Sequence, residues 1–400
     1  MAKPKKKKPA TGVLIAGAMV VVPGALPGLW GTFQKAVCEG YGISEAQAGM
    51  IFTCTIASFG LACIITGALG DKLGPKMVAG TGACLLLFGF CSSALMPQGS
   101  PFYLCLGYSV PIGLGCACLY PPAMSCVQKH YPQRKGLATG VLGASLGLSG
   151  AAITYGGRAL IHFFGIRVCF LVLGIVLFAL VFTGAMGLWV PAVAPGLAQN
   201  KRGLTPREMA GTAPYYLLLA ATFLATPTTQ LFSPRVVEMG MERGLSEGAA
   251  VLSLALSSLA NGAGRFAMPM LSDKLGRPKT STLSFLLLGV ASCGLWWAKG
   301  FWVPIMYGIT TFFYSGQNAV MPAYCSDLFG LQHSGANYGL IAIGMTFGAL
   351  AFPPLAQVYG GGYLPRHIIA ICSASLGCVC VLFAGKLGNL PFHGVKEKKK

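Results

Sequence analysis

The sequence is 400 residues long, with 54% hydrophobic side chains, only 10% Asp, Glu, Lys and Arg, and a formal net charge of +19. A water-soluble globule typically carries about 25% charged residues, so most of this chain's surface must meet lipid. The basic residues lie in tails and short loops, with no basic stripe interleaved with aromatics, which argues against nucleic-acid binding and for a membrane orientation signal.

A chain in lipid satisfies its backbone polar groups as helices or as a closed barrel. The apolar runs here are hydrophobic all round for about 20 residues and do not alternate, which selects helices. Met1 to Lys8 and Pro9 look like the basic end of a signal peptide. The run that follows is too long for one and lacks a small-residue cleavage site, so it is expected to remain as the first helix. Helices are predicted at 12–36, 46–69, 77–96, 101–127, 136–160 and 167–190, then at 213–238, 248–271, 280–298, 301–325, 335–359 and 364–386. The long internal polar stretch, with Lys201, Arg202, Arg207 and Glu208, separates the sets. The expected organisation is a basic tail 1–11, a six-helix bundle 12–190, a linker 191–212, a second six-helix bundle 213–386 and a basic tail 387–400.

With both ends on one side, that side collects 21 of the 29 Lys and Arg, which places both termini in the cytoplasm of an inner or plasma membrane. Trp296, Trp297 and Trp302 flank the outer turn between helices nine and ten, where an aromatic belt belongs. The two sets also repeat one another. Asp71-Lys72-Leu-Gly74-Pro-Lys76 returns 202 residues later as Asp273-Lys274-Leu-Gly276-Arg277-Pro-Lys279. Gly136 and Gly140, opening helix five, return 199 residues later as Gly335 and Gly339, opening helix eleven. Two repeats with a site between them at the midplane are the plan of an alternating-access transporter.

With Gly67-x3-Asp71-Lys72-x-Gly74-x-Lys76, the chain resembles the major facilitator superfamily over nearly its whole length; the second copy has Pro269 in place of the leading glycine. The resemblance implies an all-α fold of 12 transmembrane helices in two pseudo-symmetric bundles. A carboxylate at such a helix end, beside Lys, Arg and a neighbouring helix N-terminus, can latch one closed state. The motif's occurrence at two equivalent places favours a latch over an ordinary charged turn. Asp71, Lys72, Lys76, Asp273, Lys274 and Arg277 are therefore the candidate cytoplasmic gate.

The ten Asp and Glu and the five His map to loops and helix ends. Most of the 15 cysteines sit in apolar runs without companion ligands and read as small packing residues. No metal site, cofactor motif or catalytic constellation emerges, so an enzyme is not expected. The deep ionisable residue is Arg265, eight residues before Asp273. That spacing puts it about 12 Å into a half-core of about 15 Å. Even low figures for a central Arg, about 2.5–3.5 kcal/mol, call for compensation. It could snorkel to the interface, but Asn261 lies one turn away with Gly262, Ala263 and Gly264 alongside, which makes room for a ligand. The guanidinium fork suits a carboxylate, and with no buried acid available the substrate is the natural counter-ion.

More narrowly, the chain resembles the oxalate/formate antiporter family and the related monocarboxylate transporters. The resemblance rests on Asn261-x3-Arg265, on Ser326-Asp327-Leu-Phe-Gly330 leading to Asn337-Tyr338-Gly339, and on Tyr131-Pro132-x-Arg134-Lys135-Gly136. It implies substrate-contacting positions at Tyr120, at Phe33 with Trp30 nearby, and around Tyr314 and Gln317. Where the oxalate transporter has a second cation in helix eleven, this chain has Met345. A dicarboxylate would leave one charge unpaired at a cost of several kcal/mol, so a monoanion such as lactate, pyruvate or formate is expected. The acidic signature of animal monocarboxylate transporters is unmatched: Asn261 replaces an Asp. Coupling is therefore expected through a proton moving with the substrate or through anion exchange. A dicarboxylate/formate antiporter is the alternative; a drug exporter or a transporter-like sensor fits less well. The expected partners are the carboxylate, a proton and membrane lipid, with the chain acting as a monomer.

Overall fold

The computed structural model describes residues 10–190, 203–360 and 362–388; nearly all of both basic tails and linker residues Lys201 and Arg202 lie outside the described residues. Twelve helical spans form two sets of six. Helix one covers 10–41, helix two Glu45–Leu73, helix three Pro75–Ala94 and helix four 101–130. Helices five and six are one run, Lys135–Gly187, broken inside only at Gly165. Helix seven covers 213–242 in short segments, followed by helix eight at Glu247–Leu275, nine at Arg277–Trp297, ten at Trp302–Phe329, eleven at Ser334–Val358 and twelve at Tyr363–Gly388. A short linker helix, Pro206–Ala210, is started by a reciprocal cap between Thr205 and Glu208.

Local chemistry sets these limits. Ser44 and Ser246 accept from the backbone NH three residues on, satisfying orphan donors at the starts of helices two and eight. The repeated motif supplies Gly74 and Gly276, at φ 89° and 88°, for the tight turns into helices three and nine. A residue with a Cβ is strained there, which explains why both copies keep the glycine. Among the described residues, eight helices are apolar and long enough to cross a membrane, the Lys135–Gly187 run counting once. The spans outside that group are the segmented helix seven and helices eight and ten, which carry Asn261, Arg265, Gln317 and Asn318 in place of apolar residues. Lipid-facing positions such as Leu61, Ile65, Phe88, Phe163 and Val358 are exposed.

Prolines in the sequences of helices one, four, seven and eleven each remove a backbone donor and would by themselves break the hydrogen-bond ladder. Pro23 and Pro27 do lie in a tight 3-10 segment, Val22–Gly28, and Pro227 restarts helix seven. Pro121-Pro122 and Pro353-Pro354 instead sit inside continuous helices. For Pro121 the reason is visible. The carbonyl it leaves without a donor, that of Ala117, accepts from the Thr66 hydroxyl of helix two at 2.8 Å. The irregularity in helix four is a wide turn at Cys105–Ser109.

Glycines of helices five and eleven meet the opposite half, each set on its own partner. Gly136, Gly140, Gly143 and Gly147 of helix five lie against Pro269, Phe266, Arg265 and Gly262 of helix eight. Gly335 and Gly339 of helix eleven lie against Gly67 and Cys63 of helix two, whereas Gly344 and Gly348 pack on Thr222 and Thr226 of helix seven in their own half. Small residues let these backbones approach closely without a hydrophobic drive between helices.

Gly165 joins helices five and six at φ 78°, ψ 171°, a region open essentially to glycine alone. Gly165→Ala is expected to cost about 1–3 kcal/mol. Thermal unfolding of the purified protein in detergent should show a clear fall in midpoint, and an unchanged midpoint would show that the turn relaxes.

Candidate functional site

Arg265 stands in mid-helix eight, and its Nε donates to Asn261 Oδ1 at 2.8 Å. One turn of helix separates the two, so the amide holds the guanidinium pointing away from Asp273 and presents its free fork edge. Helix five packs closely on the arginine's backbone at Gly143, where a methyl would sit 3.1 Å from Arg265 Cβ and 3.6 Å from Ala319 Cβ. Ser315 ties helix ten to this point by donating to the Asn261 carbonyl at 3.1 Å. Three buried tyrosines, Tyr120, Tyr338 and Tyr314, lie in the neighbourhood of this charge. Tyr120 of helix four and Tyr338 of helix eleven face one another across the two halves, with ring centroids 6.0 Å apart.

No acid shares that depth among the described residues. Asp71, Asp273, Asp327, Glu39 and Glu238 pair with basic side chains at helix ends, Glu208 caps the linker helix, Glu242 ends the last segment of helix seven, and Glu45 and Glu247 open helices two and eight.

The other expected contacts divide. Tyr314 is 8% exposed, and its hydroxyl lies near Thr229 and Gln230 of helix seven and Asn318 of its own helix. Gln317 is buried, with its amide nitrogen 3.9 Å from Met321 Sδ. Met345, half-buried, lies two turns beyond Tyr338 on the same side of helix eleven. Trp30 and Phe33 are placed elsewhere, in the aromatic core of the first half: Trp30 lies tilted against Tyr108 with centroids 5.3 Å apart, and Phe33 lies 5.8 Å from Phe170. The segmented backbone at Val22–Gly28 shifts the helix register there, and these rings turn inward to fill their own bundle. Tyr338 was quoted only as part of the Asn-Tyr-Gly motif; that motif was the signal for it.

The second constellation closes the side of the molecule that carries the linker. The Asp71 carboxylate accepts from the Ala336 NH at the start of helix eleven at 3.1 Å, from Lys129 at 2.9 Å and from Ser125 at 3.2 Å. Its repeat partner Asp273 accepts from the Gly136 and Leu137 NH groups at the start of helix five, at 2.9 and 3.0 Å, and from Arg277 at 2.6 Å. Each repeat thus places a carboxylate on a helix N-terminus of the other half, where orphan NH groups and the helix dipole favour an anion. Asp327 adds a bridge, to Lys135 across the halves at 2.6 Å and to Arg277 at 2.9 Å. Gln128 and Ser326 meet at 2.5 Å, and Ser125 and Ser334 at 2.8 Å. Lys72, Lys76 and Lys274 are exposed and stand outside this network. Asp327 and Lys135, which sequence reasoning treated as loop charges, are the missed members. Both were already visible in the Ser326-Asp327 and Lys135-Gly136 motifs.

Asp327→Asn removes both of its ion pairs and leaves Lys135, 9% exposed, without a carboxylate. The aspartate itself is 40% exposed, so the loss is set at about 1–2 kcal/mol, a factor of about 5–30 in population. Labelling of the buried Cys325 thiol by a water-soluble maleimide, followed by peptide mapping, should rise by that factor.

Against this geometry, the profile of the Major Facilitator Superfamily matches residues 10–353 and again 218–399. The chain belongs to the Major Facilitator Superfamily. It is accordingly a multi-pass membrane transporter. Within the superfamily, the oxalate:formate antiporter of Oxalobacter formigenes is 25% identical over 344 residues, covering 83% of this chain and 78% of that protein. Human monocarboxylate transporter 11 is 25% identical over 292 residues, covering 71% of this chain and 61% of its own length. Among solved structures, the superfamily transporter FucP in its outward conformation superposes with a TM-score of 0.75 at 16% identity, over 94% of this chain and 99% of that one. Superfamily membership thus agrees with the two-set, twelve-span architecture.

Proposed function

We propose that the protein is a secondary transporter of a small monocarboxylate and that Arg265 binds its carboxylate. The observation that carries this reading is the arginine itself: a mid-helix guanidinium, held by Asn261, with no protein carboxylate beside it among the described residues. A cation so placed is paid for only when an anion arrives, which makes substrate occupancy part of its stability. The two relatives named for carboxylates support the class. Met345, on the Tyr338 side of helix eleven, offers no second cation, which favours one charge over two.

Both termini are assigned to the cytoplasm on the basic-residue asymmetry, so the closed linker side is the cytoplasmic gate and substrate enters from outside. Residues 12–190 and 213–386 are the two bodies that rock, with Asp71, Asp273, Arg277 and Asp327 parting as they do. Without a buried acid to relay protons, coupling is through protonation of the bound carboxylate itself or through exchange for another anion.

A panel of labelled mono- and dicarboxylates in proteoliposomes, with Arg265→Gln beside the unaltered protein, tests the reading. Uptake of at least one monocarboxylate, lost in the variant, is expected. Equal uptake by the variant overturns it, and uptake of dicarboxylates alone moves the assignment to the oxalate type. A proton flux accompanying uptake separates symport from exchange.

A further inference from the structure

We infer that the site takes a monocarboxylate whose far end carries hydroxyl groups, and that Asn318 with Thr229 reads that end. This rests on the assignment of the carboxylate to Arg265 and specifies the other half of the ligand.

Beyond the arginine, the second half places an unusual density of polar side chains where helix seven breaks against helix ten. Thr229 is 6% exposed and Asn318 2% exposed, and both adjoin the Tyr314 hydroxyl, which in turn lies under the Arg265 charge. Pro227 restarts helix seven, and Thr229 and Gln230, just after it, adjoin Tyr314 of helix ten. Although the Tyr314 hydroxyl is beside it, neither Nδ2 nor Oδ1 of Asn318 completes a hydrogen bond. A buried amide left in this state costs about 1–3 kcal/mol for each unmatched group. A packing role alone would be served better by Leu.

The chemistry of the amide selects its partner. Asn318 offers one donor group and one acceptor side by side, and a hydroxyl both accepts and donates, so an alcohol or a vicinal diol answers both atoms. A second carboxylate only accepts, and it would meet Oδ1 with like charge. An alkyl tail answers neither. Sites built to hydrogen-bond a substrate hydroxyl reject the analogue that lacks it, because their own polar groups are then left unpaired.

Three acids with the same carbon count test this: propionate with no hydroxyl, glycerate with two, and malonate with a second carboxylate. Binding to the purified full-length protein is measured by calorimetry, and transport by counterflow in proteoliposomes. Glycerate is expected to bind at least about tenfold more tightly than propionate, with malonate no better than propionate. Asn318→Leu and, separately, the near-isosteric Thr229→Val should bring glycerate down to the propionate level. Propionate should stay within about twofold, which also shows that the variants are folded. Propionate binding as well as glycerate, or variants that weaken all three acids equally, overturns the inference while leaving the Arg265 assignment standing. If none of the acids binds, or if Arg265→Gln binds them unchanged, the carboxylate assignment fails, and this inference with it.

Discussion

Replacing Arg265 with Lys is expected to lower substrate affinity about 100-fold although the charge is kept. The guanidinium has one edge committed to Asn261 through Nε, so its remaining NH groups form a fork that is already aimed. Lysine would have to choose between the amide and the ligand, and its point charge cannot make two parallel bonds to a carboxylate. Losing one charge-assisted bond and the aim of the other amounts to about 3 kcal/mol, or about two factors of ten. Initial-rate uptake against substrate concentration would show the change. A Lys variant within threefold of the unaltered protein would mean that position 265 supplies only a diffuse field. Asn261→Leu is the companion measurement, because it frees the arginine without discharging it.

The second large effect concerns the gate. Gly136→Val is expected to shift the protein out of the closed state seen here. A Cβ at Gly136 would overlap the Pro269 carbonyl oxygen and crowd the Asp273 carboxylate at 2.7 Å, and backbone groups cannot step aside as a long side chain can. Overpacking of this kind costs about 1–3 kcal/mol, all of it charged to the state in which helices five and eight touch. A two-state equilibrium moves by about 5- to 150-fold for such a difference. Cys325, fully buried behind the gate, reports it: maleimide applied on the linker side should label the variant quickly and the unaltered protein slowly. Unchanged labelling with intact folding would show that this contact is not what holds the gate.

The fold was legible because its determinants are local and repeated. Apolar runs of span length, the 202-residue recurrence of Asp71-Lys72-Leu-Gly74 and the lone deep Arg265 each require only neighbours in sequence to be interpreted. Asp71 and Asp273 were placed at helix ends beside a helix N-terminus, and the structure gives each one. What sequence could not supply was the answer from another helix. The Ala117 carbonyl freed by Pro121 is satisfied by Thr66, 51 residues away, so a residue pair that signals a break leaves helix four continuous. The same holds for Trp30 and Phe33. Their direction depends on the 3-10 segment just before them, and that segment rotates the rings toward Tyr108 and Phe170. Asp327 looked like one loop charge among several until Lys135 was brought to 2.6 Å from it.

The closed gate is lopsided. On the side of helices five, eight and ten, the halves are joined by an ionic bond between Lys135 and Asp327; on the side of helices two, four and eleven, the corresponding meeting is of two serine hydroxyls, Ser125 and Ser334. Dissolved salt weakens the first and leaves the second nearly untouched. Raising the ionic strength on the linker side is therefore expected to loosen the edge held by Lys135 and Asp327 more than the edge held by the two serines.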